Sequence, residues 1–115
     1  MKFSAVVLIV PEEDENPAVR ILKEAGATGI TIIKGKGLRQ NERKTFLGLG
    51  LERRESLLLC VVEKQLAMSM LKAVKIEMKL DLSGGGLAFS LPLGSVIGIG
   101  LAQMESFRRE VADTL

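Results

Sequence analysis

Residues 57–62 read Leu57-Leu58-Leu59-Cys60-Val61-Val62, an apolar run with no polar residue at alternate places. A strand with one wet face alternates apolar and polar side chains. With Ser56 before it, and bounded by Arg53-Arg54-Glu55 and by Glu63-Lys64, this run predicts a short strand from Ser56 to Val62 that is apolar on both faces. Ala5 to Val10 is a second run of the same kind, within a predicted strand Lys2–Val10 that Pro11 stops.

Downstream of the central run, Lys64 to Met78 carries Ala67, Met70, Leu71, Val74 and Met78 at helical spacing and predicts an amphipathic helix. Lys79 to Gly86 is a connection ending in Gly84-Gly85-Gly86. Leu87 to Leu93 alternates Leu87, Phe89, Leu91 and Leu93 with Ala88, Ser90 and Pro92, a strand whose proline places it at an edge or leaving the sheet. After an apolar segment from Ser95 to Gly100, the spacing of Met104, Phe107, Val111 and Leu115 predicts a C-terminal helix over 101–115.

Upstream, Leu38 to Glu55 contains Gly48, Gly50 and many charges, and reads as a long loop or loose hairpin. Thr28 to Lys34 is a β-branched strand that Gly35-Lys36-Gly37 is expected to break. Asn16 then Pro17 reads as an N-cap and first helical residue. Ala18, Ile21, Leu22 and Ala25 give that helix one apolar face, and Gly26 suits a left-handed cap at its end.

The order β-α-β-β-α-β, followed by a helix, is the split arrangement of a ferredoxin-like α+β sandwich, a single domain over 1–115. Its helices cover one sheet face. Strands apolar on both faces need a second cover, so sheets of several copies are expected to pack together in a homo-oligomer. The competing expectation is that the C-terminal helix folds across the open face.

Composition removes whole classes of function. The chain has 115 residues, 47% of them hydrophobic, and a net charge of +2, too small to make it a polyanion binder. It has no His, so a His general base or His-ligated zinc is excluded, and its one Cys excludes an internal disulfide. Trp and Tyr are absent, and Phe3, Phe46, Phe89 and Phe107 are the aromatics, which argues against base stacking and hence nucleic acid as partner. No nucleophile, base and orienter can be assembled, so the expectation is a non-enzyme without metal or cofactor. The apolar start runs into Pro11-Glu12-Glu13-Asp14-Glu15 with no small-residue cleavage site, so it reads as a strand of a cytoplasmic protein.

Several segments taken together resemble the nitrogen-regulatory PII signalling family, over residues 2 to about 101. They are Gly26, Thr28-Gly29-Ile30-Thr31, Lys34-Gly35-Lys36-Gly37 with Arg39-Gln40, Gly84-Gly85-Gly86-Leu87-Ala88-Phe89-Ser90-Leu91-Pro92-Leu93, and Val96-Ile97-Gly98-Ile99-Gly100. The resemblance implies a ferredoxin-like homotrimer that binds adenine nucleotides between subunits. It also implies a long loop that reports ligand state to a protein partner such as a membrane transporter or metabolic enzyme. The chain departs from the pattern where the family grips phosphates: Leu87, Gly98 and Gly100 stand where the family has a lysine and two arginines. The loop tyrosine that the family modifies has no counterpart, which makes the chain similar to a divergent PII-like branch. The related divalent-cation tolerance proteins share the architecture, but a chain without His is not suited to their metal handling.

The candidate ligand groups are Gly35, Lys36, Gly37, Arg39 and Gln40 from one glycine turn, and Gly84, Gly85 and Gly86 from the other, where backbone amides can approach an anion. The alternative is that both are plain turns. The candidate partner surface is the 38–55 loop through Arg43, Lys44, Phe46, Arg53 and Arg54. Lys34 and Lys36 add to its positive charge, against Glu42, Glu52 and Glu55. The expected function is a regulatory protein binding an anion or adenine nucleotide at subunit interfaces; the alternative is a ligand-free structural or adaptor trimer.

Overall fold

The computed structural model describes residues 1–38, 45–46, 49–50, 52–80 and 85–114. Strand β1 (Phe3–Pro11) leads through a single 3-10 turn (Glu12–Asp14) into helix α1 (Glu15–Glu24). Strand β2 (Thr31–Gly37) follows, then a small hairpin of β3 (Thr45–Phe46) and β4 (Leu49–Gly50). Strand β5 (Arg53–Glu63), helix α2 (Lys64–Met78), strand β6 (Leu87–Leu93) and helix α3 (Leu101–Thr114) complete the order. The main sheet is antiparallel throughout, in the order β2-β5-β1-β6. This is the ferredoxin-like α+β fold, and the two runs apolar on both faces are its two central strands.

Alternation divides the side chains cleanly. Val6, Leu8 and Val10 of β1 and Leu58, Cys60 and Val62 of β5 pack under Ala18, Ile21 and Leu22 of α1 and Leu66, Ala67, Met70 and Val74 of α2. On the opposite face the register pairs Val7 with both Leu59 and Phe89, and Ala5 with both Val61 and Leu91. The small central side chains there are shielded by their neighbours, while Leu87, Phe89, Leu91, Val61 and Ile33 are left exposed.

The C-terminal helix does not cover that open face. Helix α3 packs against α2 instead, and its Phe107 is buried in the core, edge to face with Phe3 at 6.3 Å between ring centroids. Residues 53–55 also differ from expectation: β5 begins at Arg53, so the segment outside the main sheet narrows to 38–52, and its short hairpin agrees with the looser of the two readings.

Two further expectations are corrected. Asn16 and Pro17 do not start the first helix; they are its second and third residues, because the 3-10 turn has already set the chain's direction. Proline is tolerated there since the first helical N–H groups have no partner to lose. Gly35-Lys36-Gly37 does not break β2. The ladder runs on through Gly35↔Glu55, Lys36↔Arg54 and Gly37↔Arg53, and neither glycine has a positive φ. Pairing along a long β5 overrides the weak strand preference of glycine.

The helix ends are made as their chemistry requires. Gly26, with φ of 113°, closes α1: its N–H donates to Lys23 O and the N–H of Ala27 donates to Leu22 O. The Glu63 carboxylate caps α2 by accepting from the backbone N–H of Gln65 at 2.7 Å and of Leu66 at 3.3 Å.

Candidate functional site

The ends of β2, β5, β1 and β6 lie side by side at one end of the open face. There Ile9, Gly37, Leu38, Glu55, Gly86 and Leu87 line a cleft of about 310 Å³. One residue from each glycine segment therefore reaches the same cleft, although β2 and β6 are opposite edges of the sheet. A neighbouring cavity of about 200 Å³ is lined by Ile9, Ile33, Gly35, Lys36, Glu55 and Leu57. Ile9 and Glu55 border both.

Two glycines are there for reasons of space. A Cβ on Gly37 would run into the carboxylate of Glu55, which leans over it from the next strand. A Cβ on Gly86 would lie 3.0 Å from the Ile9 carbonyl oxygen and 2.8 Å from Leu80 Cδ2, so β6 can start this close to β1 because the residue has no side chain.

Among the described lining residues of the cleft the charged one is Glu55. Lys36 sits on the helix-side face of β2, and its Nζ pairs with Glu52 at 3.5 Å. Lys34, on the same face, is bound to the Glu15 carboxylate of α1, with Glu12 at 3.8 Å. The fully buried hydroxyl of Ser56 donates to the same Glu15 oxygen at 2.7 Å. The Lys34 and Ser56 hydrogen bonds hold the Glu15 carboxyl below the usual carboxylate range, and the Glu15 hydrogen bond raises Lys34 above the usual lysine value. This cluster ties the first turn of α1 to β2 and β5, just before those strands reach the cleft.

Arg53 and Arg54 are the first residues of β5, opposite Gly37 and Lys36. Arg39, Gln40, Arg43, Lys44 and Gly84 lie outside the described residues, and Phe46 is described as part of β3 by its backbone alone. Leu87, at the position of the family's lysine, is 54% exposed at the cleft. Gly98 and Gly100 precede α3, and a Cβ at either would meet nothing within 4 Å. Gly98 borders a different cavity of about 290 Å³, together with Gln103 and Phe107. Sequence reasoning missed Ile9, Leu38 and Glu55 as cleft residues. The signal for Glu55 was the β2–β5 register, which sets it opposite Gly35 and is not written in either strand alone.

Comparison with known proteins agrees with this architecture. The family model described as nitrogen regulatory protein P-II matches residues 3–102. The ATP complex of GlnK from B. subtilis is 17% identical, with 85% of this chain and 89% of that chain covered and a TM-score of 0.66. CPII from Thiomonas intermedia K12, a nitrogen regulatory PII-like protein bound to ADP, AMP and bicarbonate, is 16% identical over 84% of this chain and 98% of that chain, with a TM-score of 0.61. CutA1 from Oryza sativa is 19% identical over 96% of this chain and 94% of that chain, with a TM-score of 0.65. No curated protein sequence matches the chain.

Proposed function

Because this chain belongs to the nitrogen regulatory protein P-II family, we propose that it is a regulatory signalling protein whose sheets pack into a homotrimer. It binds a small molecule, an anion or adenine nucleotide, at the cleft where subunits meet. It passes occupancy to a protein partner through residues 38–55. The observation that carries this reading is the position of the cleft: Gly37-Leu38 and Glu55 form its walls, and the connecting segment leaves and re-enters the sheet at those two strand ends. A ligand seated there touches both stems of the segment. Its effect is a shift in the segment's populations and not a reaction. The nucleotides in the GlnK and CPII structures support a ligand of this kind.

A second reading has its own observation. Leu87 puts an aliphatic side chain at the cleft where the family resemblance implies a phosphate-gripping lysine, which favours an adaptor trimer without a ligand.

Thermal shift against ATP, ADP, AMP, cyclic AMP, 2-oxoglutarate, bicarbonate and phosphate separates the two. A ligand at 100 times its Kd adds about 2.7 kcal/mol, and hydrogen exchange at residues 36–38 and 52–55 should slow with it. No shift from any member of the panel favours the adaptor.

A further inference from the structure

We propose that the outward face of helix α2 is a docking surface for a protein partner that presents an acidic amphipathic helix. This surface is separate from the cleft and from the open sheet face, since α2 packs on the other side of the sheet. It stays accessible when copies of the chain close over the open face.

Lys64, Met68, Lys72 and Ile76 recur at every fourth residue of α2, and residues at that spacing form one ridge along a helix. The ridge lies opposite Ala67, Met70 and Val74, which are buried against the sheet. Lys64 and Lys72 are exposed, and Met68 and Ile76 are 56% and 72% exposed. Among the described residues, no ion pair or side-chain hydrogen bond engages the ammonium groups of Lys64 and Lys72. Lys79 and Lys75, the latter also interacting within the chain, flank the ridge and add positive charge, against Glu77 on the same helix.

Each of these features narrows the occupant. Lys64 and Lys72 are separated by about 12 Å of helix axis, at about 1.5 Å per residue, too far for one small anion to engage both. Met68 and Ile76 lie on the same ridge, where a nucleic-acid backbone offers no apolar group to cover them. A lipid surface broad enough to reach α2 also meets the 3-10 turn and α1 packed beside it. There Glu12, Glu13, Asp14 and Glu24 outnumber Arg20 and Lys23 and repel anionic headgroups. A single helix is narrow enough to lie along the ridge. One whose acids and aliphatic residues alternate at the same four-residue spacing is complementary to it in charge and covers Met68 and Ile76.

The test is fluorescence anisotropy of the full chain with a labelled helical peptide of about 18 residues, long enough to span α2, that carries Glu and Leu in alternation at every fourth position. The peptide should bind, and raising the salt to about 0.5 M should weaken it at least about threefold, because exposed charges are screened. Lys64→Glu combined with Lys72→Glu should weaken it at least about tenfold. Ile76→Ser should weaken it about tenfold through the apolar area left uncovered. These side chains are exposed, and melting curves check that the fold is kept. No binding of the peptide, or equal binding of a peptide with Lys in place of Glu, overturns the proposal. So does an affinity that neither set of substitutions changes. Tighter binding to vesicles of phosphatidylserine and phosphatidylcholine, or to duplex DNA, overturns it in favour of a membrane or nucleic-acid surface. Each of these outcomes leaves the ligand cleft to its own thermal-shift test.

Discussion

The carboxylate of Glu55 leans over Gly37 from the neighbouring strand, so close that a Cβ on Gly37 would collide with it. The two are not direct partners, since the register sets Gly37 opposite Arg53 and Glu55 opposite Gly35. The contact is a diagonal one across the pleat, and it brings the side of β2 and a negative charge into one cleft.

Gly37→Ala tests that relationship. The obstacle is the far end of a flexible side chain, so Glu55 can swing aside and the stability change should stay within about 1 kcal/mol. Ligand affinity should fall because the carboxylate has moved. Unchanged affinity in the presence of a normal melting curve would show that the carboxylate's position is irrelevant to the cleft.

The cluster of Glu15, Lys34 and Ser56 gives a pH dependence with a definite sign. The depressed Glu15 carboxyl contributes stability that is present above its unfolded pKa and lost as pH falls through the folded one. The raised Lys34 ammonium contributes stability that is present below its unfolded pKa and lost as pH rises through the folded one. Glu15→Gln should therefore lower the melting temperature at neutral pH, and its gap from the unsubstituted protein should close in acid. A gap of constant size from neutral pH into acid would contradict the assignment.

Cys60 should be inert in the folded chain. Its thiol is buried, and burial pushes its pKa up to about 11. Alkylation at mildly alkaline pH should be slower than in the unfolded chain by roughly two orders of magnitude from ionisation alone, before access is counted. Rapid labelling without unfolding would show that β5 opens locally.

Helix α3 is held by Phe107, which is 1% exposed. Phe107→Ala should cost about 3–5 kcal/mol, measured by denaturant unfolding. A loss under about 1 kcal/mol would mean that α3 detaches without disturbing the core.

Much of the fold was legible because the strongest signals were long and periodic. Lys64–Met78 and Leu87–Leu93 have the bounds that their hydrophobic spacing indicates, and the runs apolar on both faces are the central strands. The Asn16-Pro17 signal misplaced the start of α1 because the preceding 3-10 turn leaves no hydrophobic pattern to read. Gly35 and Gly37 pointed to a turn because their local preference is visible in the sequence and their pairing with β5 is not. The same blindness hid Glu55. Its role in the cleft depends on the register between strands separated by the whole 38–52 segment, and on β6 crossing close enough to Ile9 to need Gly86.

The exposed side of the sheet leads to the most direct measurement. Leu87, Phe89, Leu91, Val61 and Ile33 form an apolar face that α3 leaves uncovered, and patches of this kind mark interfaces. In the proposed trimer the ligand cleft lies where copies of the chain close over that face. Sedimentation equilibrium at micromolar concentration should give a mass of three times the 12.5 kDa chain, reduced towards one chain by Leu91→Lys. A monomer of 12.5 kDa under the same conditions would contradict it.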